Sequence, residues 1–349
     1  EAAGSIYNGM VSRVDGDEPS SGWSKWGSLE WQIADNCLSI RPAAGATEGH
    51  VESGSAPWFG EQMAEVTKVS ITGTVKLGAG VNIASLFSNS MKLAEIEGLG
   101  NLDTSEVSDM TSMFRNCSSL ASIDLSGLET DSLTNISSMF FGCFALEGSD
   151  SVDFAEFDTS GVKDASYLFA YCSGLHAFDL SAIDLSACEN MEGMFLSCIK
   201  LKEIDFSGSD FSKANNVAQM FNSCAELESV DLSEVDFSKV ENMWSMFSGC
   251  AKLVSLDLST LDLSNVIDMG SLCRGCSALA SLAVPDAFIG EKCENAAQIF
   301  DGCVSLKTIP GNFSFGAGDA VVTGAFRTDQ SSTPLETYYS GNDASVLGL

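Results

Sequence analysis

The stretch SKVENMWSMFSGCAKLVSLDLSTLDLSNV, residues 238–266, contains the phrase LDLS twice, and related phrases recur along most of the chain. Self-similarity at a fixed period of about 20 to 50 residues indicates a repeat architecture. The cysteine of SGC returns at steps of 26 to 29 residues, at Cys117, Cys143, Cys172, Cys198, Cys224, Cys250, Cys276 and Cys303. A leucine follows each cysteine by three residues, and a phenylalanine precedes all but one of them by three. With one earlier unit that has Ser90 in the cysteine slot, the sequence predicts nine units between residues 79 and 315.

Each unit carries two hydrophobic periodicities. After the cysteine, residues such as Leu256 and Leu258 show the in-and-out alternation of a short strand. Before the cysteine, apolar residues such as Met110 and Met113 recur at spacings of three and four, which is typical of one helix face. Ser238 opens an S-x-x-E spacing, the capping box of a helix start. Because stacked units share one core, the sequence predicts an α/β solenoid of strand-loop-helix units.

Two of these phrases carry a family resemblance. NMWSMFSGCAKLVSLDLSTLDLSNV and DMTSMFRNCSSLASIDLSGLETDSL resemble the 26-residue repeat of BspA-like bacterial surface proteins, a leucine-rich-repeat variety. The segments WQIADNCLSIRP and SAPWF resemble the β-rich N-terminal cap of such proteins, and TYYSGNDASVLGL resembles the segment after their repeats. The resemblance implies a leucine-rich-repeat-like right-handed coil with a β-rich N-terminal cap.

The repeat and the resemblance together predict four segments. These are an N-terminal extension at 1–22, the β-rich cap at 23–78, the nine-unit solenoid at 79–315 and a C-terminal segment at 316–349 that leads to a linker or a next domain.

The resemblance also implies a function. We expect a secreted or cell-wall-attached bacterial protein, without catalytic residues, that acts as a protein-binding or adhesion module through its solenoid faces. The expected partner is a host matrix or mucosal protein, or another bacterial surface component. The alternative is a structural spacer or stalk that presents another domain of a larger surface protein.

Charge narrows the range of partners. The 349-residue chain has 48 acidic and 17 basic residues and a formal net charge of −31, which repels phosphate backbones and anionic lipid head groups. The sequence therefore argues against nucleic acid as a partner and against direct membrane insertion.

The cysteines and histidines predict no cofactor, metal or catalytic site. Eight of the twelve cysteines fill one apolar slot whose side chains point the same way, so we expect buried free thiols rather than a disulfide ladder. The C-x-x-C pair of Cys273 and Cys276 follows from the repeat, since Cys273 takes the phenylalanine slot. The only histidines, His50 and His176, lack the partners that a zinc site or a triad needs.

Acidic residues form two columns. The strand-face column should project from the core and is the candidate binding surface: Glu97, Asp124, Asp153, Asp179, Asp205, Asp231 and Asp257. A solvated face with serine hydrogen bonds, a patch for a cationic protein and a calcium site are the alternatives, and calcium is disfavoured because no EF-hand or calcium β-roll spacing is present.

A second column precedes the expected helix starts and should accept turn amides: Asp103, Glu129, Asp158, Asp184, Asp210, Asp236 and Asp262. In the cap, Trp23, Trp26, Trp31 and Trp58 should cover the open core of the first unit, because terminal repeats need capping.

Overall fold

The computed structural model describes residues 22–286, 288, 290–306 and 310. The predicted N-terminal extension, apart from its last residue, and the predicted C-terminal segment at 316–349 lie outside the described residues.

The first part of the described chain forms two sheets, which confirms the β-rich character expected of it. One sheet has the order β1-β2-β3-β5-β7 and the other β4-β6-β8. Their bounds are β1 Ser24–Trp26, β2 Leu29–Ala34, β3 Cys37–Pro42, β4 Glu48–Ser55, β5 Lys68–Ile71, β6 Thr74–Asn82, β7 Glu95–Glu97 and β8 Leu102–Asp103. Asp35 and Asn36 both have positive φ and join β2 to β3 in a tight hairpin. All later pairings in these sheets are parallel, so the cap leads directly into the stacking of the repeats.

Between Cys117 and Cys276, short strands follow the cysteine slots as the sequence predicts, except after Cys224, where residues 229–231 form no strand. They are β9 Ile123–Asp124, β10 Val152–Asp153, β11 Ala177–Asp179, β12 Glu203–Asp205, β13 Ser255–Asp257 and β14 Ser281–Ala283. They pair in parallel as β9 with β10, β11 with β12 and β13 with β14. Single 3-10 turns lie at Gly60–Met63, Leu99–Asn101, Ser149–Ser151 and Leu180–Ala182.

The predicted helix before each cysteine is wrong, and with it the α/β class. Among the described residues none is α-helical. In the second unit, Ser112 (φ 56°) and Asn116 (φ 59°) are left-handed, whereas an α-helix requires φ near about −60°. Met113 donates its N–H to Met110 of its own unit, while Met110 donates to Asn135 of the next unit. The segment is therefore a run of tight turns. Its backbone hydrogen bonds alternate between residues of the same unit and residues of the next unit.

The same two left-handed positions, five residues and one residue before the cysteine slot, occur in all nine units. The pairs are Ser85 and Asn89, Ser112 and Asn116, Ser138 and Gly142, Tyr167 and Tyr171, Gly193 and Ser197, Gln219 and Ser223, Ser245 and Gly249, Ser271 and Gly275, and Gln298 and Gly302.

The turns explain why the apolar pattern resembles that of a helix. Val107, Met113, Cys117 and Leu120 each donate the backbone N–H to the carbonyl three residues earlier, and all four side chains are buried. Successive three-residue turns thus place an inward side chain every three or four residues, which is also the spacing of a helix face. The expected capping box is absent too, because the Glu241 amide donates to Asn215 of the preceding unit.

One core runs through the stack and makes the chain a β-solenoid of about nine turns. Phenylalanine rings three residues before the cysteine slot stack in sequence from Phe87 to Phe247, with centroids 5.6–5.8 Å apart. Methionines of the segment before the cysteine slot also belong to the core, since residues such as Met194 and Met220 are fully buried. Leucine-rich-repeat-like stacking is thus retained, but the units consist of a strand and turns.

Candidate binding surface

The strand-face column lies where the sequence places it, on the outside of the solenoid; six of its seven members lie in strands, and Asp231 occupies the same position in a unit that has no strand there. Its members Glu97, Asp124, Asp153, Asp179, Asp205, Asp231 and Asp257 are all exposed. Parallel pairing brings Asp124 opposite Asp153 and Asp179 opposite Asp205. Glu97, at the cap end, forms an ion pair with Lys68 (2.6 Å).

Each aspartate of this column also stabilises a turn. One carboxylate oxygen accepts the N–H of the residue two positions later, at 2.8–2.9 Å, in all six aspartates. The hydroxyls of Ser181 and Ser259 donate to the same oxygens of Asp179 and Asp257, at 2.6 Å. These hydrogen bonds form Asx turns. They explain why every member of the strand-face column after Glu97 is aspartate and not glutamate.

The hydrogen bonds favour the ionised form of four of these aspartates. The serine hydroxyl two residues later, and then its amide, lower the pKa of Asp124, Asp205, Asp231 and Asp257 below the ordinary aspartate value. Neighbouring carboxylates oppose this only weakly, as Asp231 does for Asp205. At neutral pH the strand face is therefore a line of negative charges about one strand spacing apart.

The second acidic column has the predicted structural role, although it precedes turns and not helices. Its aspartates accept the amide two residues later at 2.8–3.2 Å: Asp103, Asp158, Asp184, Asp210, Asp236 and Asp262. Glu129 differs, because its hydrogen bond with Asp103 raises its pKa. The hydrogen bond from Ser105 lowers the pKa of Asp103 in turn.

Sequence reasoning missed a third column, which joins the units. An Asp or Asn eight residues before the cysteine slot forms an unbroken series of parallel bridges: Asp109, Asn135, Asp164, Asn190, Asn216, Asn242, Asp268 and Asn295. Each side-chain oxygen again accepts the amide two residues later, at 2.8–3.1 Å. The recurrence of Asp or Asn at this position could have indicated a turn. It was not interpreted so, because the segment was predicted to be a helix.

The cysteine column is structural. Each thiol donates to a backbone carbonyl of the preceding unit at 3.0–3.2 Å, as Cys143 does to Phe114. The Phe114 carbonyl oxygen also accepts the N–H of Cys117, so the Cys143 thiol satisfies the second lone pair of that oxygen. Burial raises the pKa of Cys117 to about 12. The prediction of buried free thiols is confirmed.

The remaining candidates for chemistry lie apart from one another. Cys273 and Cys276 are fully buried, while His50 and His176 are exposed. In the described part of the chain no three His, Cys, Asp or Glu side chains are arranged to hold a metal ion. Nor does any helix within it have the length and apolar character to cross a membrane.

Three of the four predicted cap tryptophans form a cluster over the first unit. Trp58 donates its ring N–H to the Leu86 carbonyl at 2.8 Å. Trp26 and Trp31 pack against Trp58 with centroid distances of 5.1 and 5.5 Å. Trp23 lies instead against the Arg41 guanidinium, 3.7 Å from its ring centroid. The capping role is confirmed for Trp26 and Trp58, which are buried.

These features define a β-solenoid repeat protein. The family model described as "Mycoplasma protein of unknown function, DUF285" matches residues 81–204, 168–285 and 197–312. The chain belongs to this family, which is a BspA-like repeat family.

A comparison with solved structures finds similarity to proteins of several bacteria. A leucine-rich repeat protein from Bacteroides ovatus is 18% identical with a TM-score of 0.39, covering 82% of this chain and 88% of that one. A leucine rich cell surface protein from Faecalibacterium prausnitzii is 16% identical with a TM-score of 0.29, covering 76% and 95%. The pneumococcal vaccine antigen PcpA is 14% identical with a TM-score of 0.33, covering 88% and 93%. No curated protein matches the chain.

Proposed function

We propose that this chain is a non-catalytic surface protein of a bacterium and that its strand-face column binds a cationic patch of another protein. The observation that carries the proposal is the column itself: seven exposed carboxylates on successive units, each held by the fold at a fixed place. Family membership in the BspA-like repeats supports the surface location.

The physical argument for a protein ligand rests on rigidity and charge. Asx turns hold the aspartates in place, so that little side-chain freedom is lost when lysines or arginines of a partner bind them. Small serines flank the aspartates, as Ser181 and Ser259 do, and leave them accessible. Since exposed charges are screened beyond about 10 Å at 0.1 M salt, this binding should weaken as salt is added.

The test compares two variants that remove the same number of charges. The first changes Asp124, Asp179, Asp205, Asp231 and Asp257 together to Asn, which keeps the turn acceptor and removes only the charge. The control changes Asp158, Asp184, Asp210, Asp236 and Asp262 of the second column to Asn. Each is assayed with wild type against fibronectin, fibrinogen, collagen, mucin and whole bacterial cells, with calcium and with chelator.

The proposal expects wild type and the control to bind one of these proteins, and the strand-face variant to lose at least about tenfold in affinity. Equal losses in both variants would mean a general charge effect and would contradict the site. Binding that requires calcium would replace direct ion pairing by a metal-mediated contact.

A structural spacer is the second candidate function. It is favoured by the unbroken bridge series from Asp109 to Asn295, which is suited to a stiff rod. If no ligand in the panel binds, and if removing one whole unit changes a surface phenotype that the aspartate variant leaves intact, the spacer is the better account.

A further inference from the structure

Not all faces of this acidic molecule are acidic. We use the term corner strip for the residues from two before to two after the cysteine slot in each unit, where the chain leaves the turns. Its basic residues are Lys92, Arg115, Lys200, Lys252 and Arg274, and its acidic residues are Glu226 and Asp301. The strip therefore has a net positive charge on a chain whose formal charge is −31.

The corner strip also concentrates exposed apolar side chains. Of nine large hydrophobic residues that the described part of the chain exposes, five lie in the strip: Met91 (57% exposed), Phe144 (52%), Tyr171 (44%), Ile199 (48%) and Val304 (44%). Four of these five belong to units one to five. Exposed apolar side chains that lie together and are rimmed by polar residues are typical of an interaction site.

Arginine and aromatic rings form a continuous group in this part of the strip. The Arg115 guanidinium carbon lies 3.8 Å from the centroid of the Phe141 ring. Phe141 packs in turn against Tyr171, with centroids 5.0 Å apart. Backbone bonds fix the group, since Tyr171 donates its N–H to the Leu196 carbonyl of the next unit at 2.6 Å. The side chains are therefore arranged before any partner binds, which lowers the entropic cost of binding.

Three of the five basic residues of the strip form ion pairs. Lys92 of the first unit pairs with Glu65 (2.5 Å), and in the later units Lys252 pairs with Glu226 (2.5 Å) and Arg274 with Asp301 (3.3 Å). Within the described ranges, Arg115 and Lys200 make no such pair with a carboxylate. The uncompensated positive charge thus lies beside the aromatic group.

We propose that the corner strip of units one to five is a second interaction surface, and that its occupant is an acidic protein segment with apolar side chains. Arginine and tyrosine are enriched among the residues that dominate protein interfaces. The positive strip selects against the basic partner proposed for the strand face, because like charges across an interface are unfavourable. The apolar groups favour a polypeptide over an anionic polysaccharide, which would bind mainly through charge.

The repeat supplies substitutions that test the strip without disturbing the fold. Arg115, Phe144 and Tyr171 are changed together to Ser, because other units have serine in the same slots. These are Ser88 and Ser248 for Arg115, Ser118 and Ser173 for Phe144, and Ser197 and Ser223 for Tyr171. Ser197 and Ser223 are also left-handed, with φ of 57° and 62°, so serine tolerates the backbone at Tyr171.

The experiment selects a random displayed peptide library on the whole wild-type chain and measures the affinity of enriched peptides in solution. The expected peptides are acidic with aromatic or aliphatic residues, and their affinity should fall by about tenfold or more in the corner variant. The strand-face Asp-to-Asn variant should bind them as tightly as wild type.

Other outcomes overturn the inference in distinguishable ways. Basic peptides that lose affinity only in the strand-face variant would support the proposed function and remove the corner strip as a site. A library that yields no enriched peptide would contradict both. Sedimentation of wild type and corner variant completes the test, since self-association lost in the variant would make a second copy of the chain the occupant.

Discussion

The turn segment before each cysteine and the strand segment after it differ in what they contribute. The turn segment contains the phenylalanine, the left-handed residues and the bridge series, and nearly all of its apolar side chains are buried. The strand segment is two or three residues long and presents its aspartate to solvent. We infer that the buried side chains of the turn segment supply most of the stability, and that the outward side chains of the strands and of the corner strip supply the surface chemistry.

We expect the largest difference in the free energy of unfolding between a variant that lacks a stacked phenylalanine ring and one that lacks an outward carboxylate. Phe195 is fully buried between Phe169 and Phe221, with centroid distances of 5.7 and 5.6 Å. Phe195→Ala should lower the free energy of unfolding by about 3–5 kcal/mol, through lost burial and the cavity left behind. Asp205→Asn should change it by less than about 0.5 kcal/mol, because Asn keeps the turn acceptor. Urea unfolding measures both, and similar values would contradict the division of roles.

Two left-handed glycines allow the cost of backbone strain alone to be compared with the cost of strain plus a side-chain clash. Gly208, in the loop after β12, has φ 72° and no atom within 4 Å of the place where a Cβ would lie. Gly142, in a turn segment, also has φ 72°, but a Cβ there would clash with the Asn116 side chain. We expect Gly208→Ala to cost about 1 kcal/mol and Gly142→Ala about 2–3 kcal/mol. Thermal unfolding of the two variants provides the comparison, and a larger loss at Gly208 would count against it.

Thiol labelling tests the difference between the buried core and the exposed surface without any substitution. All twelve cysteines are free, eleven are buried, and Cys37 in the cap is partly exposed. Burial also raises the pKa of Cys188 to about 12 and that of Cys293 to about 11, which suppresses the reactive thiolate. Ellman's reagent should therefore label about one thiol in the native protein and all twelve in denaturant. Rapid labelling of several native thiols, or fewer than twelve after unfolding, would be inconsistent with the stacked slot.

The smallest expected effect is the pH dependence of the strand face. The folded-state pKa values of Asp124, Asp205, Asp231 and Asp257 lie below the ordinary value of 3.8. A lowered folded pKa contributes stability that is complete above the unfolded pKa and is lost as pH falls through the folded pKa. Wild type should thus lose this contribution below about pH 4. Changing the four to Asn should make the melting temperature less dependent on pH between 5 and 3, and an unchanged slope would show that the turns do not depend on these charges.

The sequence predicted most of the features that depend on the periodicity of apolar and polar side chains. The nine units, the inward cysteine and leucine and the outward aspartates all follow from which positions recur as apolar or polar, whereas the capping role of Trp26 and Trp58 follows from the need to cover a terminal repeat. The turns could not be separated from a helix, because both place an inward side chain every three or four residues. Glycine or asparagine directly before the cysteine, as at Asn116, Gly142 and Gly249, was a usable signal of a left-handed residue. The serines five residues before it, such as Ser112 and Ser138, carry no such signal and adopt positive φ only because the stack imposes it.

The corner strip could not be identified from composition, because its successive basic residues are separated by 22 to 85 positions in the chain. Only the stacking places Arg115, Phe141 and Tyr171 of three successive units in contact.

Amide hydrogen exchange tests the central claim most directly. In the sixth unit, Val217, Gln219 and Phe221 of the turn segment donate their N–H groups to carbonyls of the next unit. On the strand side, Ser233 and Ser238 donate theirs to exposed aspartates of their own loops. The account predicts that the first three amides exchange only through global unfolding and that the two serine amides exchange much faster. Equal protection of the two groups, or faster exchange in the turn segment, would contradict the conclusion that the turns hold this solenoid together.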